Sequence, residues 1–146
     1  MIEDEKWMKL AILEANKAKN KGEIPVGSVI IKDEMLISRG YNQPILTNDP
    51  TAHAEIQAIR KAGDKLKNYR LVGTTLYVTL EPCSMCLGAL VHARVERVVF
   101  GAYRDKTISP KLLYFDKKSN HNVDIIGGVL EDKCKQLIEL FFKTRR

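Results

Sequence analysis

Apolar residues at Met8, Ala11, Ile12 and Ala15 recur at the spacing of a helix with one buried face. Gly22 marks the expected end of that helix. The run Val26-Gly27-Ser28-Val29-Ile30-Ile31 is apolar and rich in β-branched residues, which predicts a buried strand. Asp33-Glu34 makes a turn, and Met35 to Tyr41 forms its hairpin partner. A loop over 42–50 precedes a second helix, expected to begin at Thr51 or Ala52, pass Ile59 and end near Gly63. Thr75 to Thr79 reads as a strand, Ser84 to His92 as a short helix, and Val95 to Phe100 as a further strand. Mixed charge and Pro110 predict a loop with at most a helical turn over 101–122. Val123 to Ile126 gives a last strand, closed by Gly127-Gly128. Leu130, Cys134, Leu137, Ile138, Phe141 and Phe142 then form the apolar stripe of a C-terminal helix. Strands alternating with helices after an opening hairpin predict an α/β fold, a mixed sheet covered by helices on both faces. The pattern carries no strand order.

Composition narrows the class. No repeat, low-complexity tract or linker interrupts the 146 residues, so 1–146 reads as a single domain. The opening Met1-Ile2-Glu3-Asp4-Glu5-Lys6 is charged where a signal peptide needs an apolar core. No apolar run approaches the roughly 20 residues that span a bilayer. A cytoplasmic location is therefore expected. The formal charge is +6. Residues 1–73 hold 12 positive and 10 negative side chains and residues 74–146 hold 12 and 8, so the surplus leans C-terminal. One basic cluster gathers Arg104, Lys106, Lys111, Lys117 and Lys118, and another Lys143, Arg145 and Arg146. Such a surface suits a polyanion, and equally a merely solvated lysine-rich face.

Three cysteines, Cys83, Cys86 and Cys134, are an odd count in a chain with no export signal, which argues against a disulfide framework. Cys134 lies in the C-terminal apolar stripe and reads as core. Cys83 and Cys86 form a C-x-x-C within Glu81-Pro82-Cys83-Ser84-Met85-Cys86. If a helix starts there, both thiols share one face of its first turn, where unpaired N–H groups favour thiolates. That arrangement suits zinc or a redox dithiol. His53 and Glu55, at the mouth of the second helix, shift the balance toward zinc. Two thiolates and one imidazole make three protein ligands and leave a fourth tetrahedral position open, as in catalytic rather than structural zinc sites. Such a site is formally neutral and acidifies water weakly, so a carboxylate beside it has a proton to carry. Glu55 is placed for that task; otherwise it is a helix-dipole carboxylate. His92, with no partner in the motif, reads as structural, and His121 borders a loop that could approach the site.

His53-Ala54-Glu55 and Pro82-Cys83-Ser84-Met85-Cys86 resemble the cytidine deaminase superfamily, and within it the bacterial adenosine deaminases that act on tRNA. The resemblance runs through Gly22 to Gly27, Tyr41-Asn42, Asp49 to Glu55, Tyr77 to Cys83, Arg97 to Ala102, Asn120-His121 and Phe141-Phe142-Lys143. It implies a three-layer α-β-α sandwich around a mixed sheet of about five strands. It also implies one zinc held by His53, Cys83 and Cys86, with Glu55 as the catalytic proton shuttle. Hydrolytic attack at C6 of adenine, protonation of N1 and loss of ammonia would convert a wobble adenosine to inosine, the expected tRNA being an arginine acceptor with anticodon ACG. Asn42 would hydrogen-bond the flipped base, and Pro25, Val26, Ala54, Leu80 and Pro82 would wall its pocket. Arg104, Lys106, Phe142, Lys143, Arg145 and Arg146 would hold the anticodon loop, with simple core packing the competing role for Phe142. A homodimer is implied. A deaminase of a free base or nucleoside is the competing reading. The chain departs from the family pattern after Ala102: Arg104 stands where an Asp is usual, with Asp105 next. Ile108-Ser109-Pro110-Lys111 replaces a Gly/Ser-rich stretch, and the segment to Asn120 is shorter. Those departures bear on RNA contacts, not on the zinc motif.

Overall fold

The computed structural model describes residues 2–105 and 121–145. Among the described residues ten elements follow in order: α1 (Ile2–Asn20), β1 (Gly27–Lys32), β2 (Met35–Tyr41), α2 (Pro44–Thr47), α3 (Ala54–Leu66), β3 (Thr74–Leu80), α4 (Ser84–His92), β4 (Arg97–Ala102), β5 (Asp124–Ile126) and α5 (Glu131–Thr144). The five strands form one sheet in the order β2-β1-β3-β4-β5. β1 runs antiparallel to β2 and β3, whereas β3, β4 and β5 run parallel. The sheet is therefore mixed, as expected.

Period-two alternation along the strands divides the core in two. Ile30, Leu76, Val78, Val98 and Phe100 face Ala54, Ala58 and Ala62 of α3 and Leu87 and Leu90 of α4. Val29, Ile31, Tyr77 and Val99 face Trp7, Met8 and Ala11 of α1 and Cys134 of α5. Helices thus cover both faces, and the three-layer sandwich is the observed architecture. Cys134 is fully buried, and burial pushes its thiol up to about 12, so it is an inert core residue.

Boundaries differ from the sequence expectation at two places. The 42–50 loop contains a short helix, with Pro44 in its first turn, where a missing N–H costs nothing. α3 begins at Ala54, because Asp49 accepts hydrogen bonds from Thr51 N and Thr51 Oγ1 and closes a turn over the expected start. It ends at Leu66, with Lys67 in the left-handed region as its C-cap. In the β1–β2 hairpin, Asp33 and Glu34 both have positive φ, the geometry of a two-residue turn matched to strand twist. No helix among the described residues is long and apolar enough to cross a membrane.

Candidate active site

The N-termini of α3 and α4 converge at the ends of β3 and β4. His53 is the N-cap of α3 and Cys83 the N-cap of α4, yet neither side chain makes a cap hydrogen bond. Asn42 does that work for α3, its Oδ1 accepting the Ala54 N–H at 2.8 Å. The imidazole is thereby left for other chemistry. His53 Nδ1 lies 3.6 Å from Cys83 Sγ and 3.5 Å from Cys86 Sγ. The three donor atoms all fall within 4.8 Å of one another. A tetrahedral zinc with Zn–S near 2.3 Å and Zn–N near 2.0 Å separates a nitrogen from a sulfur donor by roughly 3.5 Å. The observed spacing and the soft donor set therefore both fit zinc. The bond Cys86 donates to Cys83 pulls Cys83 down to about 4, and that same bond, with burial, pushes Cys86 up.

Glu55, in the first turn of α3, is 3% exposed, and burial holds its carboxyl above the usual carboxylate range. It lines a pocket of about 410 Å³ together with His53, Asn42, Val26, Leu80 and Tyr103. A larger groove of about 750 Å³ runs beside the C-terminal end of α3, but none of the groups expected to do chemistry lines it. Chemistry rather than size identifies the site. Hydrogen bonds fasten the frame. Ser28 Oγ donates to Ala54 O at 2.8 Å, which ties α3 to β1. Arg104 N donates to Glu81 Oε1 at 2.9 Å and Arg104 Nε to Glu81 O at 2.8 Å, which ties the end of β4 to the loop carrying Cys83.

Asn42, expected to bond the base, lines the pocket, as do Val26 and Leu80 of the expected wall residues. Pro25, Ala54 and Pro82 are buried and do not line it. Ile24, Tyr103 and Ile138 line it without having been anticipated. Ile138 and Phe142 stand four residues apart in the α5 stripe, a spacing that already placed them on one face. Among the residues expected to contact RNA, Arg104 and Phe142 reach the pocket. Phe142 is 45% exposed, so core packing is not its role. Lys143 stands at the end of α5, and Arg145 just beyond it lies over the Phe141 ring, 4.6 Å from the centroid. Lys106, Lys111, Lys117, Lys118, Arg146 and the altered 108–120 stretch lie outside the described residues. His92 is exposed at the end of α4. His121 Nε2 sits 2.7 Å from Val95 O, at the opposite end of β4 from the pocket.

A pocket lined by one member of a three-donor metal set and by a buried carboxylate is the arrangement of a zinc hydrolase. Comparison with known proteins narrows this. The family model for the cytidine and deoxycytidylate deaminase zinc-binding region matches residues 1–102, which include His53, Glu55, Cys83 and Cys86. The tRNA-specific adenosine deaminase of Haemophilus influenzae is 48% identical over 98% of this chain and 85% of its own length. A structure solved in a study of A-to-I editing by tRNA:A34 deaminases superposes with a TM-score of 0.83, at 36% identity over 90% of this chain and 98% of that one. The guanine deaminase of Bacillus subtilis superposes with a TM-score of 0.65, at 46% identity over 68% of this chain and 64% of that one. The chain belongs to the cytidine and deoxycytidylate deaminase family, and its cofactor is zinc, one per subunit.

Proposed function

We propose that this protein hydrolyses adenosine to inosine at the wobble position of tRNA. One observation supports it most strongly: His53, which clusters with Cys83 and Cys86, lines the same pocket as the buried Glu55. His53 Nδ1 and the two thiolates would hold zinc, whose Lewis acidity makes water a nucleophile at neutral pH. Glu55 takes the proton of the attacking water and delivers it to adenine N1; the proton of the new C6 hydroxyl then passes, again by way of Glu55, to the C6 amino group, which leaves as ammonia as the C6 carbonyl forms. Its burial suits the first half of that transfer, since a carboxyl with a raised pKa takes up a proton more readily. Asn42 Oδ1 is committed to Ala54, so its Nδ2 is the donor offered to the base. Val26 and Leu80 supply apolar walls that exclude water.

The substrate assignment draws on the part of the chain beyond the family model. Tyr103, Arg104, Ile138 and Phe142 line the pocket and all lie after residue 102. Likeness to the Haemophilus tRNA deaminase extends over that part, at 98% coverage. The likeness to a guanine deaminase favours a second reading, a free-base deaminase, but it reaches only 68% of the chain. A homodimer, a cytoplasmic setting and an arginine tRNA with anticodon ACG complete the proposal. Zinc-loaded protein incubated with that tRNA, free adenosine, guanine and cytosine separates the readings. Inosine in the tRNA with no turnover of the free compounds supports the proposal; turnover of a free base alone overturns it.

A further inference from the structure

The two thiol ligands are held in different ways. Cys86 is fully buried, so packing fixes it, whereas Cys83 is only half-buried. No side-chain cap anchors Cys83 at the start of α4. Its place therefore depends on the short connection Glu81-Pro82, which joins the end of β3 to α4. Pro82 stiffens that connection from within, since its ring sets its own φ and biases Glu81 toward extended backbone. Three hydrogen bonds then converge on Glu81. Its N–H donates to Ala102 O at 2.8 Å, which continues the parallel pairing of β3 with β4. Its Oε1 accepts Arg104 N at 2.9 Å, and its O accepts Arg104 Nε at 2.8 Å. Glu81 is buried, and a hydrogen bond shielded from water is the stronger for it.

The side-chain half of this clamp belongs to this chain. Arginine carries an N–H along the side of its guanidinium and can donate to a carbonyl beneath it. An ionised aspartate, usual at this place in the family pattern, has no donor to offer. We propose that Arg104 is a positioning residue for the metal. Closed on Glu81, it sets the turn through Pro82 so that Cys83 Sγ stands 3.6 Å from His53 Nδ1, a separation that one zinc ion can bridge. Arg104 also lines the catalytic pocket, so the same side chain joins the pocket wall to the loop that carries a ligand. Partners that orient a ligand commonly contribute 10- to 100-fold in metal affinity. The inference rests on the zinc assignment and not on the identity of the base, so it stands or falls apart from the tRNA reading.

The test reads the metal rather than turnover. Zinc affinity is measured by competition with a chromophoric chelator for wild type, Arg104→Ala and Arg104→Lys. The same proteins loaded with Co²⁺ report ligand geometry through their thiolate charge-transfer and d–d absorption. Both variants are expected to bind zinc about 10- to 100-fold more weakly, with cobalt bands displaced from those of wild type. Lysine keeps the charge but has no Nε–H at that place. Wild-type affinity in Arg104→Lys beside a weakened Arg104→Ala would make charge the cause and overturn the proposal. Wild-type affinity in both variants would overturn it too. Arg104 is exposed, so its truncation leaves no buried cavity, and the metal-free variants should melt near wild type. A fall in metal-free Tm that accompanies the loss of zinc, with the cobalt spectrum unmoved, would make the clamp a support of the fold alone and contradict the assignment.

Discussion

The Asn42 amide is divided between fold and substrate. Its Oδ1 caps α3 through Ala54, which leaves only Nδ2 for the pocket. Asn42→Asp separates the two tasks, because a carboxylate still caps the helix but offers no donor. The substrate KM should rise about fivefold or more while Tm stays near wild type; an unchanged KM would remove Asn42 from the list of base contacts. At this scale much of the site was legible. His53-Ala54-Glu55 and Cys83-Ser84-Met85-Cys86 carry a metal-and-carboxylate spacing that local sequence displays directly. Ile24 and Tyr103 were not legible as pocket residues, since an apolar or aromatic side chain in a connection looks alike whether it faces a cavity or the core. Asn42 as the cap of a helix twelve residues away depends on β2 returning its end to α3, which no local pattern records.

Elements set how accurately those side chains are held. Gly40 on β2 lies against the first turns of α3, and a Cβ there would overlap Ala54 O and Ala58 N. Gly40→Ala is expected to cost about 1–3 kcal/mol by overpacking. It should also lower turnover beyond what unfolding explains, because α3 carries His53 and Glu55. Gly88→Ala, in α4 with open space around its Cβ, is the control and should hold or raise Tm. Equal behaviour of the two variants in melting and turnover would show that α3 does not depend on this close approach. A second bond network anchors α1 to the sheet. Asp4 accepts from Arg97 Nη1 at 2.8 Å, Arg97 Nη2 at 2.7 Å and Tyr77 OH at 2.7 Å. The Arg97 guanidinium holds the Asp4 carboxyl well below its ordinary range, and burial, with the bond to Asp4, pushes the Tyr77 hydroxyl up and keeps it protonated. A depressed carboxylate stabilises above its unfolded pKa of about 3.9, and the gain fades as pH falls beneath it. Asp4→Asn should therefore cost about 1–3 kcal/mol at pH 7 in urea unfolding, with the gap to wild type narrowing below pH 4. A gap independent of pH would exclude the ionised pair as its source. Periodicity disclosed every long element here; α2 and the true start of α3 escaped it because side-chain bonds, to Glu23 for α2 and to Asp49 for α3, decide them rather than hydrophobic spacing.

At the scale of the whole molecule, the sheet order β2-β1-β3-β4-β5 brings two helix N-termini together and turns two distant motifs into one site. Sequence gave the elements and their alternation; which strands are neighbours depends on long-range pairing that the pattern does not encode. Net charge is likewise a property of the whole, and the +6 surplus should make tRNA binding fall with salt. Arg104, at the pocket wall, is expected to contribute one phosphate contact. Arg104→Gln should flatten the slope of log affinity against log salt by about 0.7; an unaltered slope would mean the guanidinium serves only Glu81. The central claim is that His53, Cys83 and Cys86 hold the metal while Glu55 moves the proton. Its most direct test pairs zinc content with inosine formation at the wobble adenosine of tRNA for wild type and Glu55→Gln. The account predicts one zinc per chain in both proteins and turnover reduced about 100- to 10,000-fold in the variant. A variant that loses its zinc, or one that keeps zinc and forms inosine at the wild-type rate, would contradict it.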